Sequence, residues 1–338
     1  MDIGKISNRD LEKYVFKNIH ANRKEVLSKA SVGFDTALMD FENDLIVVST
    51  DPITGAAKNI GYLAINISVN DIACQGADPV GVLLSVLLPE NAEIYDLEQI
   101  MEDADRACKE NNLEIVGGHT EVTDAVNKII LTTTVIARAN MEKLPKTSSV
   151  KVGDLIVISK DIGLEGTSII LEDLENGFLK DKKDSYKIDI KELSVLEEAR
   201  IATDYGVKYM HDITEGGVFG ALWECSKALN FGLIAEKNKI PYREITKILA
   251  DAYNLNMYRL ISSGSMLMVF DPKDFEKFAE RCKNENIKVT AIGHLTKDKE
   301  ILLDDKGTLK EIAQPASDEL YKALKSKISD KEKWKKYY

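Results

Sequence analysis

Residues 58 to 89 have the sequence KNIGYLAINISVNDIACQGADPVGVLLSVLLP. In the first part of this stretch, apolar residues recur at steps of three and four, at Ile60, Leu63, Ala64, Ile67 and Ile72. This spacing is typical of a helix with one buried face, and the apolar run between the two prolines predicts a strand. Asp71 lies beside the apolar face of the helix. A carboxylate in that position is costly unless it is hydrogen-bonded, paired or bound to a cation.

The composition is that of an ordinary globular protein. The chain has 338 residues, of which 44% are hydrophobic and 30% charged, which is enough for two domains. A net charge of −11 and the lack of a basic stripe argue against a nucleic-acid partner. No apolar run approaches the roughly 18 residues of a membrane span, and the N-terminus is charged from its second residue. We therefore expect no membrane association and a cytoplasmic location.

The four cysteines lie far apart and form no CxxC pair. This spacing argues against both a structural zinc site and a disulfide framework. A reducing compartment fits it best.

The pattern predicts two α/β halves. Helices are predicted over 8–19, 58–76, 92–112, 163–175, 191–206, 214–229 and 272–286. Strands are predicted over 31–41, 44–51, 79–89, 113–118, 128–139, 154–159, 207–212, 265–270 and 289–295. The polar stretch 140–154, with a proline and paired serines, predicts a domain boundary. We expect domains over 1–148 and 149–316, followed by a basic tail over 317–338. A solvated terminal helix explains the last part of this tail, KSKISDKEKWKKYY, better than a binding arm.

Four acidic residues are flanked by small residues and follow apolar segments: Asp35, Asp51, Asp71 and Glu121. If they meet in space, their oxygens would suit Mg²⁺ bound to substrate phosphates. For any one of these acids taken alone, a cap, a turn residue or a satisfied hydrogen bond is a commoner role than that of a ligand. Sequence spacing does not decide between these two interpretations.

The stretch 211–224, HDITEGGVFGALWE, predicts a strand that ends at His211 and Asp212 and a helix that Thr214 caps. Its glycines leave the first turns of the helix bare, which favours either an anion at the helix start or close packing against a sheet. Both alternatives stay open, and they apply equally to GLEGTS at 163–168. His119 and His211 are candidate acid–base groups, although a histidine at a strand end is more often structural.

Several blocks in order resemble the aminoimidazole ribonucleotide (AIR) synthase-related superfamily. They are VGFDTALMD, residues 49–89, VGGHTEV, GLEGTSII, HDITEGGVFGALWE and LISSGSMLM, and together they span about residues 4–296. The block over 70–89, GGHTEV and HDITEGGVFGALWE are most similar to the hydrogenase-maturation branch of HypE-like proteins. Phosphate-loop, HExxH, GxGxxG, GxSxG and kinase motifs do not occur.

The resemblance implies a fold and a site. An N-terminal sheet would form a barrel across a homodimer, and an α/β domain would follow it, with ATP and Mg²⁺ in the cleft between domains. By this resemblance the metal ligands are Asp35, Asp51, Asp71 and Glu121. The same resemblance places Lys5, Thr50, Asn70, Gly117, Gly118, Gly216 and Gly217 at the nucleotide, and His119, Asp212 and Glu215 at the reacting groups.

The implied chemistry is ATP-dependent activation of an amide- or carbonyl-type oxygen on a small or protein-borne substrate. HypE acts on its own C-terminal cysteine, whereas this sequence ends in KEKWKKYY, so we expect a reaction that does not use that thiol. The first acidic motif has Phe34 before Asp35 where many members have two aspartates. Two alternatives are a small-molecule kinase resembling thiamine-monophosphate kinase and a nucleotide-binding partner protein without catalysis.

Overall fold

A computed structural model describes residues 8–10, 12–13, 26–27, 31–32, 36–41, 45–54, 59–173, 186–315 and 317–325. The described residues within Phe34–Pro145 form one compact unit, here called the N-terminal unit. Those within Lys146–Tyr338 form a second, the C-terminal unit, which also includes the single turn α1 (Asn8–Asp10). The domain limits expected from the sequence stay predictions.

The N-terminal unit is a five-stranded sheet covered by two helices. Its strands are β1 (Ala37–Asp40), β2 (Leu45–Ile53), β3 (Ala77–Leu88), β4 (Glu114–Val122) and β5 (Ile130–Ala139). They lie in the order β1-β2-β5-β3-β4, and only the β3–β4 pair is parallel. The helices are α2 (Ile60–Cys74) and α3 (Ile94–Asn111).

Helix α2 is the centre of this unit, because it contacts both the sheet and α3. All fifteen of its residues are buried. Gly61 allows the close approach of α3, since a Cβ there would lie 2.1 Å from the carbonyl oxygen of Ile100. The side chains of β3 alternate between the two faces of the sheet, as expected for a strand. Val82, Leu84 and Val86 are buried on the helix side.

The predicted helix over 58–76 and the strand over 79–89 are confirmed, with one difference. Strand β3 begins at Ala77 and therefore contains Pro79. Its pairing with β5 shifts register between Pro79 and Gly81. A proline has no N–H for the ladder, and a bulge is one of the few places where a paired strand accommodates it.

The C-terminal unit is built on a seven-stranded mixed sheet. Its strands are β6 (Leu155–Ser159), β7 (Tyr209–Asp212), β8 (Gly232–Glu236), β9 (Met266–Phe270), β10 (Val289–Thr296), β11 (Ile301–Asp305) and β12 (Thr308–Glu311). The order is β12-β11-β8-β10-β6-β9-β7. Its longer helices are α4 (Leu164–Asp173), α5 (Leu196–Asp204), α6 (Gly217–Leu229), α7 (Glu244–Tyr253), α8 (Pro272–Asn284) and α9 (Glu319–Lys325).

Most of the elements predicted for this half are confirmed, and two predictions are corrected. The helix predicted over 191–206 is a 3₁₀ turn (Ile190–Leu193) followed by α5. Thr214 does not cap α6: the helix begins at Gly217, and the capping position is Gly216, with a φ of 89° and no side chain to offer. Strands β8, β11 and β12 and helices α7 and α9 were missed.

Helix α9 lies in the segment predicted to be a basic tail. Its Leu320 and Ala323 are buried against Leu171, Leu249 and Leu260, in a cluster that joins it to α4 and α7. The beginning of that segment is therefore part of the core. None of the described helices is long and apolar enough to cross a membrane.

Candidate functional site

The carboxylate of Asp71 accepts a hydrogen bond from the hydroxyl of Ser49 on β2. Asp71 lies in the last turn of α2 and is only 5% exposed. The neighbouring strand thus supplies the polar contact that a buried carboxylate needs. The hydrogen bond fixes the side chain of Asp71 against the end of β2.

Strand β2 directs Asp51 and Thr50 to opposite faces of the sheet. Asp51 follows Ser49 by two residues and so shares the face that packs on α2. Thr50 lies on the other, exposed face, where its hydroxyl is 2.9 Å from that of Thr134. Asp51 and Asp71 can therefore serve one ligand, whereas the Thr50 side chain lies across the sheet from them.

Polar groups continue along α2 behind Asp71. Asn70 is fully buried, and Ser68 Oγ lies 2.5 Å from Thr133 Oγ1 on β5. Thr133 is also the partner of Asp51 in the sheet register. The hydroxyl groups of Ser68 and Thr133 therefore lie between α2 and the sheet, next to the two carboxylates.

His119 and Glu121 lie within β4, not at a turn after a strand as the sequence suggested. Their side chains are hydrogen-bonded, with His119 Nε2 2.9 Å from Glu121 Oε2, and both are exposed. They pair in register with Ser85 and Leu87 of β3. Because buried Leu84 faces the helices, Ser85 and Leu87 face outward, and His119 and Glu121 do the same.

Gly117 and Gly118 also belong to β4 and form no phosphate-binding turn. The register of β3 and β4 shifts between Val82 and Leu83 at this point. A Cβ on Gly118 would lie 1.8 Å from the carbonyl oxygen of Leu84, and its φ is 149°. The close approach of the two strands requires this glycine.

Of the predicted metal ligands that the structure describes, Glu121 lies apart from Asp51 and Asp71 within one chain. Two strands, β5 and β3, separate β2 from β4, a lateral distance of roughly 14 Å at about 4.8 Å per strand. Glu121 also lies on the opposite face of the sheet from Asp51 and Asp71. Among the described residues, no three His, Cys, Asp or Glu side chains are grouped to hold a metal ion. Asp35, the fourth predicted metal ligand, and Lys5, predicted at the nucleotide, lie outside the described residues.

Asp51 and Asp71 nevertheless suit a Mg²⁺ ion that is also bound to the phosphates of a nucleotide. In such sites Mg²⁺ takes one or two carboxylates, and phosphate and water supply the other ligands. Asp51 on β2 and Asp71 on α2, which packs on the same face of the sheet, supply two carboxylates of this kind.

In the C-terminal unit, a carboxylate of the protein itself contacts the start of α6. The backbone N–H of Gly216 donates to Asp318 Oδ2 over 2.7 Å. Gly217, with a φ of 60°, faces the segment before β9, and a Cβ there would lie 2.7 Å from the carbonyl oxygen of Tyr258. Of the two alternatives left open for these glycines, close packing explains Gly217, and the anion that Gly216 contacts is a side chain of the protein itself.

Asp212 and Glu215, predicted at the reacting groups, lie beside two further carboxylates that the sequence analysis did not single out. Glu165, in the first turn of α4, has a pKa raised to about 7, because it is buried and because Asp318, Asp212 and Glu215 lie nearby. The pKa of Asp318 is raised to about 6, chiefly by burial. The position of Asp318 immediately before α9 is an N-cap signal that could have identified it.

His211 has a structural partner. Its Nε2 is 3.0 Å from Glu224 Oε2 on α6, and both residues are buried. Asn8 in α1 donates to the other oxygen of Glu224 at 3.5 Å. This contact favours the structural interpretation of His211 over an acid–base role.

The two units and their carboxylates define a two-domain protein of the AIR synthase type. Residues 33–139 match the family described as AIR synthase related protein, N-terminal domain, and residues 151–306 match AIR synthase related protein, C-terminal domain. The chain belongs to the AIR synthase-related family.

Two of the curated relatives have names from hydrogenase maturation. A putative hydrogenase expression/formation protein of Methanocaldococcus jannaschii is 29% identical over 307 residues, which cover 87% of this chain and 89% of the relative. The carbamoyl dehydratase HypE of Rhodobacter capsulatus is 26% identical over 271 residues, or 78% of each chain.

Solved structures show the same fold. The HypE–HypF complex contains a chain that matches with a TM-score of 0.73 at 23% identity, covering 90% of this chain and 99% of that one. HypE in complex with ATP matches with a TM-score of 0.70 at 19% identity, over 95% and 98% of the two chains. AaThiL complexed with AMPPCP and TMP matches with a TM-score of 0.69 at 19% identity, over 91% and 96%.

Proposed function

We propose that the protein is an ATP- and Mg²⁺-dependent enzyme of the HypE-like branch that activates an amide-type oxygen by phosphorylation. The observation that carries the proposal is the hydrogen bond from Ser49 to the buried Asp71, beside Asp51 on the same face of β2. The relatives named hydrogenase expression/formation protein and carbamoyl dehydratase support the reaction class.

In this proposal Asp51 and Asp71 hold Mg²⁺ at the phosphates of ATP. When bound, the ion offsets the negative charge that develops during phosphoryl transfer. The substrate's amide oxygen attacks the γ-phosphorus, and the bond to ADP breaks. One N–H proton leaves the amide nitrogen as the O-phosphorylated imidate forms. The C–O bond then breaks, phosphate leaves with the amide oxygen, and the second N–H proton is lost; Asp212 and Glu215 are the proposed acceptors of the two protons. The product is a nitrile.

His119 and Glu121 enter this proposal through a second copy of the chain. In a single chain they lie on the outer face of the sheet, away from Asp51 and Asp71. That face carries exposed apolar side chains, Val80, Leu83 and Val116 among them. Two such faces packed together would form the barrel that the family resemblance implies and would remove the apolar surface from water.

Calorimetric titration of ATP, with and without Mg²⁺, tests the nucleotide site. We expect Mg²⁺-dependent binding that Asp71→Asn weakens at least tenfold, since it loses a carboxylate at the phosphates. Asp124→Asn is the matched control, because Asp124 is an exposed carboxylate of the same unit. Equal ATP affinity in the wild type and Asp71→Asn would contradict the placement of the site.

A second candidate, a small-molecule kinase, is favoured by the fold shared with AaThiL. The products separate the two reactions. A dehydratase releases free phosphate together with ADP, whereas a kinase forms ADP and a stable phosphorylated product. ATP binding without turnover on amides, carbamates or small alcohols would favour the non-catalytic alternative.

A further inference from the structure

Lys160, the residue that follows β6, directs its ammonium group into the C-terminal unit. Its Nζ lies 3.2 Å from the carbonyl oxygen of Glu192, 2.5 Å from that of Ser194 and 3.0 Å from that of Gly264. A fourth oxygen, Oε1 of Glu198 on α5, lies 2.8 Å away. The Lys160 side chain is 17% exposed and that of Glu198 only 2%. We call these four oxygens the oxygen cage.

The oxygen cage has the ligand chemistry of a cation site. An ammonium group has three N–H donors, whereas the cage presents four acceptors within 3.2 Å of Nζ. Glu198 Oε1 also accepts a hydrogen bond from the hydroxyl of Ser159 over 2.9 Å, which holds the carboxylate in place. Backbone carbonyl oxygens can replace the hydration shell of K⁺. The same four oxygens would therefore suit a spherical monovalent ion as well as an ammonium group.

The backbone of Lys160 adopts a conformation that favours glycine. Its φ is 54°, in the left-handed region, where a Cβ lies too close to the following carbonyl oxygen. Glycine has no such cost. The contacts between the ammonium group and the oxygen cage offset the strain at this position.

The oxygen cage joins three segments of the unit. Glu192 lies in the 3₁₀ turn Ile190–Leu193 and Ser194 follows it, Glu198 is on α5, and Gly264 precedes β9. Gly264 packs closely on the turn, because a Cβ there would lie 2.6 Å from the carbonyl oxygen of Glu192. The ammonium group therefore lies where the turn, α5 and the segment before β9 meet.

Residues 262–265, which include Gly264, also contact the start of α4 and the end of β7. Ser262 Oγ accepts a hydrogen bond from the N–H of Gly163 over 2.7 Å. The carbonyl oxygen of Ser265 accepts one from the N–H of Ile213, which follows Asp212, over 2.8 Å. A displacement of residues 262–265 would therefore be transmitted to the residue next to Asp212.

We propose that Lys160 fills a monovalent-cation site of the C-terminal unit with its own ammonium group and thereby positions residues 262–265 beside Asp212. Without that group, four oxygens would face one another with no cation between them, and a buried carboxylate would lack its counter-ion. The cation site is independent of the proposed function. The positioning role rests on the proposed function, in which Asp212 accepts a proton, and Lys160 acts through the segment before β9.

Lys160→Gly tests the oxygen cage, with Lys306→Gly as the matched control. Lys306 is also a left-handed lysine, with a φ of 56°, but it is exposed in the turn between β11 and β12. Both variants relieve the backbone strain, and only Lys160→Gly removes a cation from the cage. In choline chloride, which supplies no K⁺, we expect Lys160→Gly to lower the urea midpoint by about 0.5–1 M and Lys306→Gly to leave it unchanged or raise it. A Lys160→Gly variant as stable as Lys306→Gly would overturn the proposal.

Replacing choline by K⁺ at constant ionic strength tests the site as a cation site. Choline has no N–H donors and is much larger than K⁺. We expect K⁺ to restore most of the midpoint lost in Lys160→Gly and to change the wild type and Lys306→Gly little. A K⁺ effect no larger in Lys160→Gly than in Lys306→Gly would show that the cage does not bind a monovalent ion.

The wild-type protein provides a test that does not depend on the folding of a variant. Acetic anhydride acetylates accessible lysine side chains, and mass spectrometry of the digested protein reports the extent at each lysine. We expect acetylation at Lys160 to be at least tenfold slower than at Lys306, because its ammonium is shielded and bound by four oxygens. Equal rates at the two lysines would overturn the oxygen cage.

Hydrogen exchange measures the positioning role without a nucleotide or a substrate. In choline chloride, Lys160→Gly should speed exchange at the N–H groups of Gly163 and Ile213 more than in the distant strand β12, and K⁺ should reverse this change. A uniform increase over the whole unit would show that Lys160 does not position residues 262–265. A failure to bind ATP would contradict the proposed function and leave the midpoint and exchange results as they are.

Discussion

Asp318 Oδ2 lies 2.7 Å from the backbone nitrogen of Gly216, so that a residue immediately before the last described helix binds the start of α6. The same carboxylate accepts hydrogen bonds from the N–H groups of Ile261 and Leu320. One side chain thereby joins three segments that are far apart in the sequence. Anions are stabilised at helix starts by unpaired N–H groups and by the helix dipole, and here the protein provides its own anion.

Removing this carboxylate should destabilise the C-terminal unit. Asp318→Ala leaves three N–H groups without their charged acceptor, and each buried unpaired group costs about 1–3 kcal/mol. We expect a loss of about 3 kcal/mol in the free energy of unfolding, measured by urea denaturation. Asp318→Asn, which keeps a carbonyl acceptor, should lose less.

Asp304, which is partly exposed, offers a control for the Asp318 variants, since it accepts a local turn hydrogen bond from Gly307. Asp304→Ala should change stability by less than about 1 kcal/mol. If Asp318→Ala proved no more harmful than Asp304→Ala, the three hydrogen bonds would not contribute as their geometry indicates.

Stability should depend on pH through Glu165. Its pKa rises from 4.5 in the unfolded chain to about 7 in the fold, so the folded state binds the extra proton between these values. The corresponding stability is fully present below pH 4.5 and is lost as pH rises to 7 and above, by about 3 kcal/mol. Glu165→Gln should remove this loss and be more stable than the wild type at pH 8.

Unfolding curves at pH 5, 6, 7 and 8 measure the effect of Glu165. The difference between variant and wild type should grow with pH and level off above pH 7. A constant difference across this range would mean that Glu165 does not change its protonation there. Glu197→Gln, at an exposed position on α5, serves as the control.

The sequence predicted local structure well where one physical signal dominated. Helix α2 and strands β2, β3 and β5 follow from apolar periodicity and β-branched runs, and these elements position Asp71. Glu121 was expected after the end of a strand, because two glycines precede it, but it lies within β4. Gly118 is instead required by the close approach of β3, a relationship between strands about 30 residues apart that no local pattern encodes.

Glu165 and Asp318 show the other limit of sequence analysis. Glu165 lies in a stretch for which an anion site and close packing both stayed open, and Asp318 lies in the segment predicted to be a basic tail. Their importance depends on burial against residues of β7 and α6, which are distant in the chain. Burial of a carboxylate is a tertiary property, and charge composition alone argues against it.

Gly118→Ala should disrupt the edge of the N-terminal sheet. A methyl group 1.8 Å from the carbonyl oxygen of Leu84 cannot be accommodated without separating β4 from β3. We expect a loss of more than about 2 kcal/mol in thermal or urea unfolding. Gly307→Ala is the control: it also has a positive φ, of 85°, but its Cβ would meet no atom within 4 Å, so it should lose only about 1 kcal/mol. Equal losses in both variants would show that backbone conformation, not strand contact, explains Gly118.

The outer face of the N-terminal sheet should be the surface through which two chains associate. Leu83→Glu places a charge among exposed apolar side chains, and a buried unpaired charge opposes association. Light scattering should give the mass of a dimer for the wild type and of a monomer for Leu83→Glu. Leu309→Glu, at an exposed apolar position on β12 of the other unit, should remain a dimer.

The oligomeric state and the nucleotide site are linked in this proposal, and the link can be measured. In one chain, Glu121 and Asp51 lie on opposite faces of the sheet, with two strands between β2 and β4. A site that uses both residues therefore needs two chains. Leu83→Glu should then bind Mg²⁺–ATP at least tenfold more weakly, although Ser49, Asp51 and Asp71 are unchanged. A monomeric variant with wild-type affinity would show that the carboxylates on β2 and α2 suffice, and Glu121 would then have no place among the ligands.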